Sequence, residues 1–325
     1  MIRFVSPATL RQLGILGMNR RNIECIGGNN PRRFYPLVDN KLLTKQAALN
    51  NGIPTPELYG TVESQYQIRG IVGKLDQFLS FVIKPVQGSG GKGILVIAGR
   101  EGQNYVKSSG VVIDAAEIRR HLSNILAGLY SLGGRNDYAM IEALIHFDPL
   151  LTEYSYEGVP DIRVIVFRGV PVMAMIRCAT RASDGKANLH QGAVGVGIDI
   201  GSGKSVAAVQ HGRLVTQHPD TGAHFDKLQL PHWPEILDLA SRCVAMTGLG
   251  YLGVDIVLDR ERGPMLLELN ARPGLAIQVA NQSGLRHRLA VAAEIAAQTD
   301  DQAEKIALAR ERFSTPAVMS AVHSR

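Results

Sequence analysis

The sequence predicts an α+β fold with mixed to antiparallel sheets distributed over more than one lobe, and three patterns carry that reading. An apolar strand over 81–84 runs into a glycine loop at 87–93 and leaves along a second strand at 94–98, a flap-like hairpin. Residues 162–167 and 170–178 read as paired strands turning at Arg168-Gly169. Residues 254–258 and 264–269 form a third pair, joined by the charged turn 259–263. Hairpins of this kind build antiparallel sheets, and the helices between them cover a face.

Taken in order, 7–17 and 39–51 read as helices. In the second, Asp39 is the expected N-cap, and Leu42, Leu43, Ala47 and Leu49 follow helical spacing. Asn51-Gly52 ends it, and Pro54 and Pro56 impose an extended exit, because a residue before proline avoids the helical region. A helix across 64–77 leads into the strand 81–84. A helix over 114–132 and a strand over 138–142 follow the flap. A glycine-rich stretch at 192–203, a helix over 234–247 with Pro234 in its first turn, and a helical tail after 283 complete the pattern. No internal repeat or low-complexity linker interrupts it.

With 325 residues, 45% hydrophobic and 20% charged, the chain has the composition of a soluble protein with a well-buried core. Its 34 glycines are clustered, which points to tight turns and phosphate loops. The three cysteines, Cys25, Cys178 and Cys243, include no CxxC pair. That argues against a disulfide framework or structural zinc and for a reducing, cytoplasmic setting. The apolar stretch at 13–18 is too short for a signal peptide, and no run reaches membrane-helix length, so no membrane partner is expected. A net charge of +6 raises the question of nucleic acid. Against it, the basic residues are dispersed apart from Arg20-Arg21 and Arg32-Arg33, and aromatics are only 6%. A small anionic ligand accounts for local positive charge equally well.

Three patterns are decoys. Gly203-Lys204-Ser205 resembles the end of a P-loop, but the required upstream glycine position holds Ile198. Gly192, Gly195 and Gly197 have the wrong order of spacings for a dinucleotide fingerprint. His218, His224 and Asp226 read more simply as a solvated loop than as metal ligands.

Three groups of residues carry chemistry together. Lys84 leaves an apolar strand just before the loop Gln87, Gly88, Ser89, Gly90, Gly91, Lys92 and Gly93. A lysine so placed aims an ammonium at a phosphate, and glycines let backbone N–H groups approach phosphate oxygens. Glu268 and Asn270, at i and i+2 on one strand, share a sheet face, and pairing through the turn 260–263 sets Asp255 on the same edge. Two carboxylates and an amide oxygen suit hard divalent cations that bridge phosphates. The competing reading is a salt-bridged cluster with Arg272 as partner. Asp161 and Arg163 form another i, i+2 pair, followed by Arg177, Lys186 and Asn188, with the arginines suited to bidentate contact with phosphate or carboxylate.

In this order the residues resemble the ATP-grasp superfamily, and within it the RimK-type α-L-glutamate ligases, over about 36–285. Asp39-Asn40-Lys41 with Gly52-Ile53-Pro54-Thr55-Pro56 resembles the family's opening helix and first ATP lysine. Val82-Ile83-Lys84-Pro85 is similar to its second, and loop 87–93 to its phosphate flap. Ile141-Glu142-Ala143 resembles the hinge whose backbone holds adenine. Asp161, Arg163, Lys186 and Asn188 match motifs near ribose, phosphate and substrate, and Asp255, Glu268 and Asn270 match the metal strands.

The resemblance implies a short N-terminal region at 1–38 in place of a complete pre-ATP-grasp lobe. It further implies a small lobe with the flap at 39–145, a large lobe with the metal site at 146–290, and a helical tail at 291–325. It implies ATP with magnesium or manganese as cofactors. The implied reaction is the joining of a carboxylate to an amine through an acylphosphate held by Arg163 or Arg177, with Lys41 and Lys84 on the phosphates. Substrates would be an amino acid and a peptide, protein or metabolite acceptor. Residues 146–158 look like an insertion that either walls the substrate or caps the nucleotide. The helical tail is a candidate for self-association. A phosphotransferase on the same scaffold and a non-catalytic nucleotide- or RNA-binding protein are the alternative readings.

Overall fold

The computed structural model describes residues 5–88 and 90–314. From the first long helix onward the chain lays down α1 (Lys41–Asn50), β1 (Leu58–Val62), α2 (Gln65–Leu75), β2 (Phe81–Pro85), β3 (Leu95–Glu101), β4 (Asn104–Lys107), β5 (Val112–Ile113), α3 (Ala115–Leu126) and β6 (Ala139–Glu142). These strands form one sheet in the order β1-β6-β2-β3-β4-β5. The second sheet takes β7 (Asp161–Phe167), β8 (Val170–Cys178), β9 (Val194–Ile198), β10 (Ser205–Gln210), β11 (Arg213–Val215), β12 (Tyr251–Asp259) and β13 (Gly263–Asn270), in the order β11-β10-β9-β8-β7-β12-β13. Helix α4 (Trp233–Thr247) and the closing helices α5 (Leu285–Gln298) and α6 (Gln302–Arg312) pack on it. Every strand pairing among the described residues is antiparallel, so the mixed half of the expectation is not needed.

Two apolar cores follow the two sheets. Ile83, Ile97, Tyr105, Leu122 and Ile141 centre the first. The second is larger and gathers Ile165, Ile176, Val196, Leu237 and Ile256. Val38, Ala48 and Ile53 belong to the second core, so α1 is built into the larger lobe although the sequence reading set it with the smaller one. The tail is likewise occupied internally. Leu285, Ala292, Ile295, Ala309 and Phe313 are buried in the chain's own second core. Among the described residues no helix is long and apolar enough to cross a membrane.

Several boundaries move for local reasons. The N-cap of α1 is Asn40, whose side chain accepts the N–H groups of Leu42 and Leu43; Asp39 instead closes the short helix Tyr35–Asp39. The first helix stops at Gln12 rather than 17. Helix α3 ends at Leu126 rather than 132. Gly128 there takes φ +78°, and a Cβ would stand 2.2 Å from the carbonyl oxygen of Arg135, so only glycine makes this turn. Residues 201–204 turn into strand β10, not into the helix a P-loop requires. The segment 146–158 packs on the large lobe. Leu151 and Tyr154 are buried, Tyr154 stacks on Phe225, and the N–H of Tyr156 donates to Ala179.

Candidate functional site

The two lobes meet at a cleft. Lys41, Thr44 and Lys45 of α1 and the nearby Thr55 line it, together with Lys84, Met140 and Glu142 of the first sheet and Leu266–Leu269, with Glu268, of β13. Lys41 and Lys45 share a helix face because they are four residues apart. The Nζ of Lys41 donates to the carbonyl of Gly88 at 2.6 Å and lies 3.5 Å from the Glu268 carboxylate, so it links the glycine loop to β13. Lys84 and Lys45 each reach one oxygen of Glu142 at 2.7 Å. Burial alone would raise the Glu142 carboxyl, but the charges of Lys84 and Lys45 overcome it and hold the group below its ordinary range. Burial lowers Lys45, against the pull of Glu142 and with added repulsion from Lys84.

The flap is anchored at both ends. At its start, the N–H of Gln87 donates to both oxygens of Asp137, which also accepts Ser131 Oγ at 2.7 Å and the N–H of Tyr138 at 2.8 Å. At its end, the ring of Tyr130 lies where a Cβ on Gly93 would fall, and His121 Nε2 is 3.0 Å from the Gly93 carbonyl. Gln87, Gly90 and Lys92 are exposed between these anchors, and Ser89 lies outside the described residues. Gly91 comes close to the large lobe: a Cβ there would be 3.9 Å from Cδ of Lys186. Lys186 pairs with Asp184 at 3.1 Å. The Oδ1 of Asn188 accepts the N–H of His190 at 3.0 Å. The N–H of Ala143 is likewise taken, by the carbonyl of Glu57 at 2.9 Å, so an adenine would have to displace it or use other hinge groups.

On the second sheet β7, β12 and β13 lie side by side. Asp255 is opposite Arg163 on one neighbour and Glu268 on the other, and Gly253 is opposite Asn270. The ladder skips Leu267 between Glu268 and Leu266, a bulge of the kind that redirects a side chain. Asp255 is fully engaged. Arg163 grips it through Nε at 2.7 Å and Nη2 at 2.6 Å, Arg177 adds Nη2 at 2.8 Å, and Asn270 Nδ2 lies at 3.2 Å. Arg177 also holds Asp161 with two hydrogen bonds. Burial would raise Asp255, but the two guanidiniums hold it well below the ordinary carboxylate range. Asp161 goes the other way, up to about 6, because burial and the charge of Asp255 outweigh Arg177.

Arg272, the partner considered from sequence, pairs instead with Asp39 at 3.3 Å and lies over the Tyr35 ring. The carboxylate partners are Arg163 and Arg177. For a divalent metal, Glu268 fits: its side chain is 38% exposed, and among the described residues its ion-pair partner is Lys41, at the long distance of 3.5 Å. Asn270 fits as well, since donating through Nδ2 keeps its oxygen as an available donor. Asp255 is the most heavily engaged of the three, with both guanidiniums and Asn270 on Oδ2 or Oδ1. Sequence reasoning missed Lys45, whose i+4 spacing from Lys41 was a usable signal, and Asp137, for which the sequence carries none. His218 is structural: Nε2 is 2.9 Å from the Ala179 carbonyl, and Nδ1 accepts the N–H groups of Asp220 and Thr221.

Comparison with known proteins places this arrangement. The ribosomal protein bS6–L-glutamate ligases of Salmonella paratyphi B and Salmonella newport are each 26% identical over 275 residues, covering 84% of this chain and 66% of theirs. The chain thus spans just under two thirds of the length of those relatives. Among solved structures, the ATP-grasp ligase PsnB complexed with minimal precursor aligns at a TM-score of 0.45 and 15% identity, over 83% of this chain and 64% of that one. The D-cycloserine synthetase DcsG aligns at 0.44 and 14%, over 87% and 73%. The family model described as sugar-transfer associated ATP-grasp matches residues 20–294, a span that takes in α1, the flap and both sheets. On that match the chain belongs to the sugar-transfer associated ATP-grasp family.

Proposed function

We propose that this chain is an ATP-dependent ligase that joins a carboxylate to an amine through an acylphosphate. One observation carries the reading: Lys41, Lys84 and Glu268 face a single cleft beside an anchored glycine flap. Lys41 and Lys84 would neutralise phosphate charge, and backbone N–H groups at 88–93 would close over the terminal phosphate. Magnesium held by Glu268 and Asn270, with Asp255 behind them, would supply charge neutralisation at the phosphates.

A carboxylate oxygen of the substrate attacks the γ-phosphorus, the bond to the β-phosphate oxygen breaks, and ADP leaves. An amine nitrogen then attacks the acyl carbon, phosphate departs, and the amine loses a proton as the amide forms. Arg163 and Arg177 each keep Nη1 beyond their contacts to aspartate, a donor for the acylphosphate. No covalent enzyme nucleophile is required, and rate enhancement would come from positioning and electrostatics. The similar glutamate ligases support an amino acid such as glutamate as the amine and a peptide or protein end as the carboxylate.

The test is release of ADP and phosphate from ATP and magnesium with a panel of amino acids, peptides and, given the family's description, amino sugars and sugar acids. Amine-dependent phosphate release that is lost in Glu268→Ala is the expected result. A phosphorylated product without free phosphate would make the chain a phosphotransferase, and no ATP binding would end the reading.

A further inference from the structure

Lys45 is a buried cation whose use the roles above leave unexplained. Its side chain is 6% exposed, and burying an ammonium is costly unless its donors are matched. They are matched in full. Its three protons meet three acceptors: Glu142 at 2.7 Å, Thr55 Oγ1 at 3.2 Å and the carbonyl of Pro56. Lys45 therefore has no donor left for a ligand, and whatever it does at the cleft it does through Glu142. The pair also crosses between lobes. Lys45 stands on α1, which packs into the second core, while Glu142 and Lys84 stand on the adjacent strands β6 and β2 of the first sheet.

The charge count explains why a second lysine is needed. Lys84 and Glu142 alone would form a neutral buried pair, in which the carboxylate competes with any phosphate for the one ammonium. With Lys45 on the other oxygen, two ammoniums share one carboxylate and the group keeps one net positive charge. Among the described residues Glu142 is the acceptor for Lys84, which leaves Lys84 with donor capacity toward the cleft.

We propose that Lys45 is the positioning residue of the anion site: it holds Glu142 from behind and so frees the Lys84 ammonium for the polyphosphate of a nucleotide. The proposal rests on reading the cleft as an ATP site.

The test is equilibrium binding of ATP and of adenosine to the full chain in EDTA, by calorimetry, which needs neither metal nor turnover. Lys45→Met is expected to weaken ATP by about tenfold or more and to leave adenosine unchanged, because the lost attraction acts only on the phosphates. Lys45→Met combined with Glu142→Gln leaves Lys84 as the only charge, restores the net +1 and should recover most of the ATP affinity. Lys74→Met, which removes an exposed lysine on α2, should bind like wild type and controls for overall charge. An ATP affinity of Lys45→Met within about twofold of wild type overturns the proposal. Equal losses for ATP and adenosine, or no recovery in the double variant, overturn it as well. Failure of the wild type to bind ATP would instead remove the reading underneath, and the proposal with it.

Discussion

Two buried ionic clusters stand on the two sheets, and they differ in stoichiometry. On the first sheet one carboxylate, Glu142, serves two lysines at the edge of the cleft. On the second, two carboxylates, Asp161 and Asp255, serve two arginines, each of which gives them its Nε and Nη2. The first cluster has positive charge to spare, carried at the cleft by the single-point ammonium of Lys84. The second is neutral and its bonds are bidentate, which fixes the side chains and leaves only Nη1 of each arginine beyond them. The contrast teaches that an ion pair's place in a function is set by what it leaves unsatisfied. An excess charge facing a cleft recruits an anion, and a closed network holds the scaffold around it.

The largest expected effect breaks the closed network. Asp255→Ala leaves Arg163 and Arg177 with one carboxylate between them in the interior, at a cost of about 3–5 kcal/mol of folding free energy. Glu268→Ala removes a half-exposed side chain with a loose partner and should change stability by no more than about 0.5 kcal/mol. Its ATP turnover should nonetheless fall on the order of a hundredfold or more, the loss of a transition-state charge contact. Urea titrations and ADP release measured on both variants separate the two roles. Equal stability losses would erase the distinction between a scaffold carboxylate and a working one.

Next in size is Lys84→Met. Here Glu142 keeps Lys45, so the chain stays folded while the cleft loses the ammonium that faces it. ATP affinity should drop by about tenfold or more, as read by calorimetry. Wild-type affinity in this variant would mean that the spare charge of the first cluster recruits nothing.

How far the sequence discloses this contrast depends on the range of the contacts. The flap, the β7–β8 pair and the β12–β13 pair are hairpins, so turn residues and apolar runs reveal them, and the turn at 259–263 sets Asp255 against Glu268. The placement of Arg163 on Asp255 requires β7 to lie beside β12, some ninety residues later in the chain, and no local pattern encodes that pairing. Arg272 was the nearest charge in sequence and turned out to serve Asp39. Lys45 was visible as a helical repeat of Lys41, but its carboxylate is on another lobe. The helix expected at 7–17 ran past its true end because apolar residues continue beyond Gln12. Gly14 ends it there as a left-handed cap at φ +70°, its N–H donating to Arg11 and that of Ile15 to Leu10, a local glycine signal that the apolar pattern overrode.

Acid should weaken the first cluster through Glu142. Its folded carboxyl titrates lower than an unfolded one, so its contribution is fully present above the ordinary carboxylate range and is lost as pH falls through the depressed value. Glu142→Gln should therefore be less stable than wild type at about pH 7, with the gap narrowing by about pH 3. A gap that stays constant with pH in urea titrations would show that the glutamate is held by packing rather than by its two lysines.

The smallest effect concerns the flap, where Asp137 is the anchor outside either cluster. Asp137→Asn keeps the shape but replaces one acceptor oxygen by a donor that faces the Gln87 N–H, at a cost of about 1–2 kcal/mol. Because the loss is local, the Gln87 amide should exchange with solvent faster while core amides of β2 and β6 in the same lobe keep their protection. Hydrogen exchange resolved by residue decides it. If core and flap amides accelerate together, Asp137 supports the whole small lobe. If the flap alone accelerates, with a several-fold weaker ATP affinity, the loop is held ready by one buried carboxylate and its closure over phosphate is a property of that anchor.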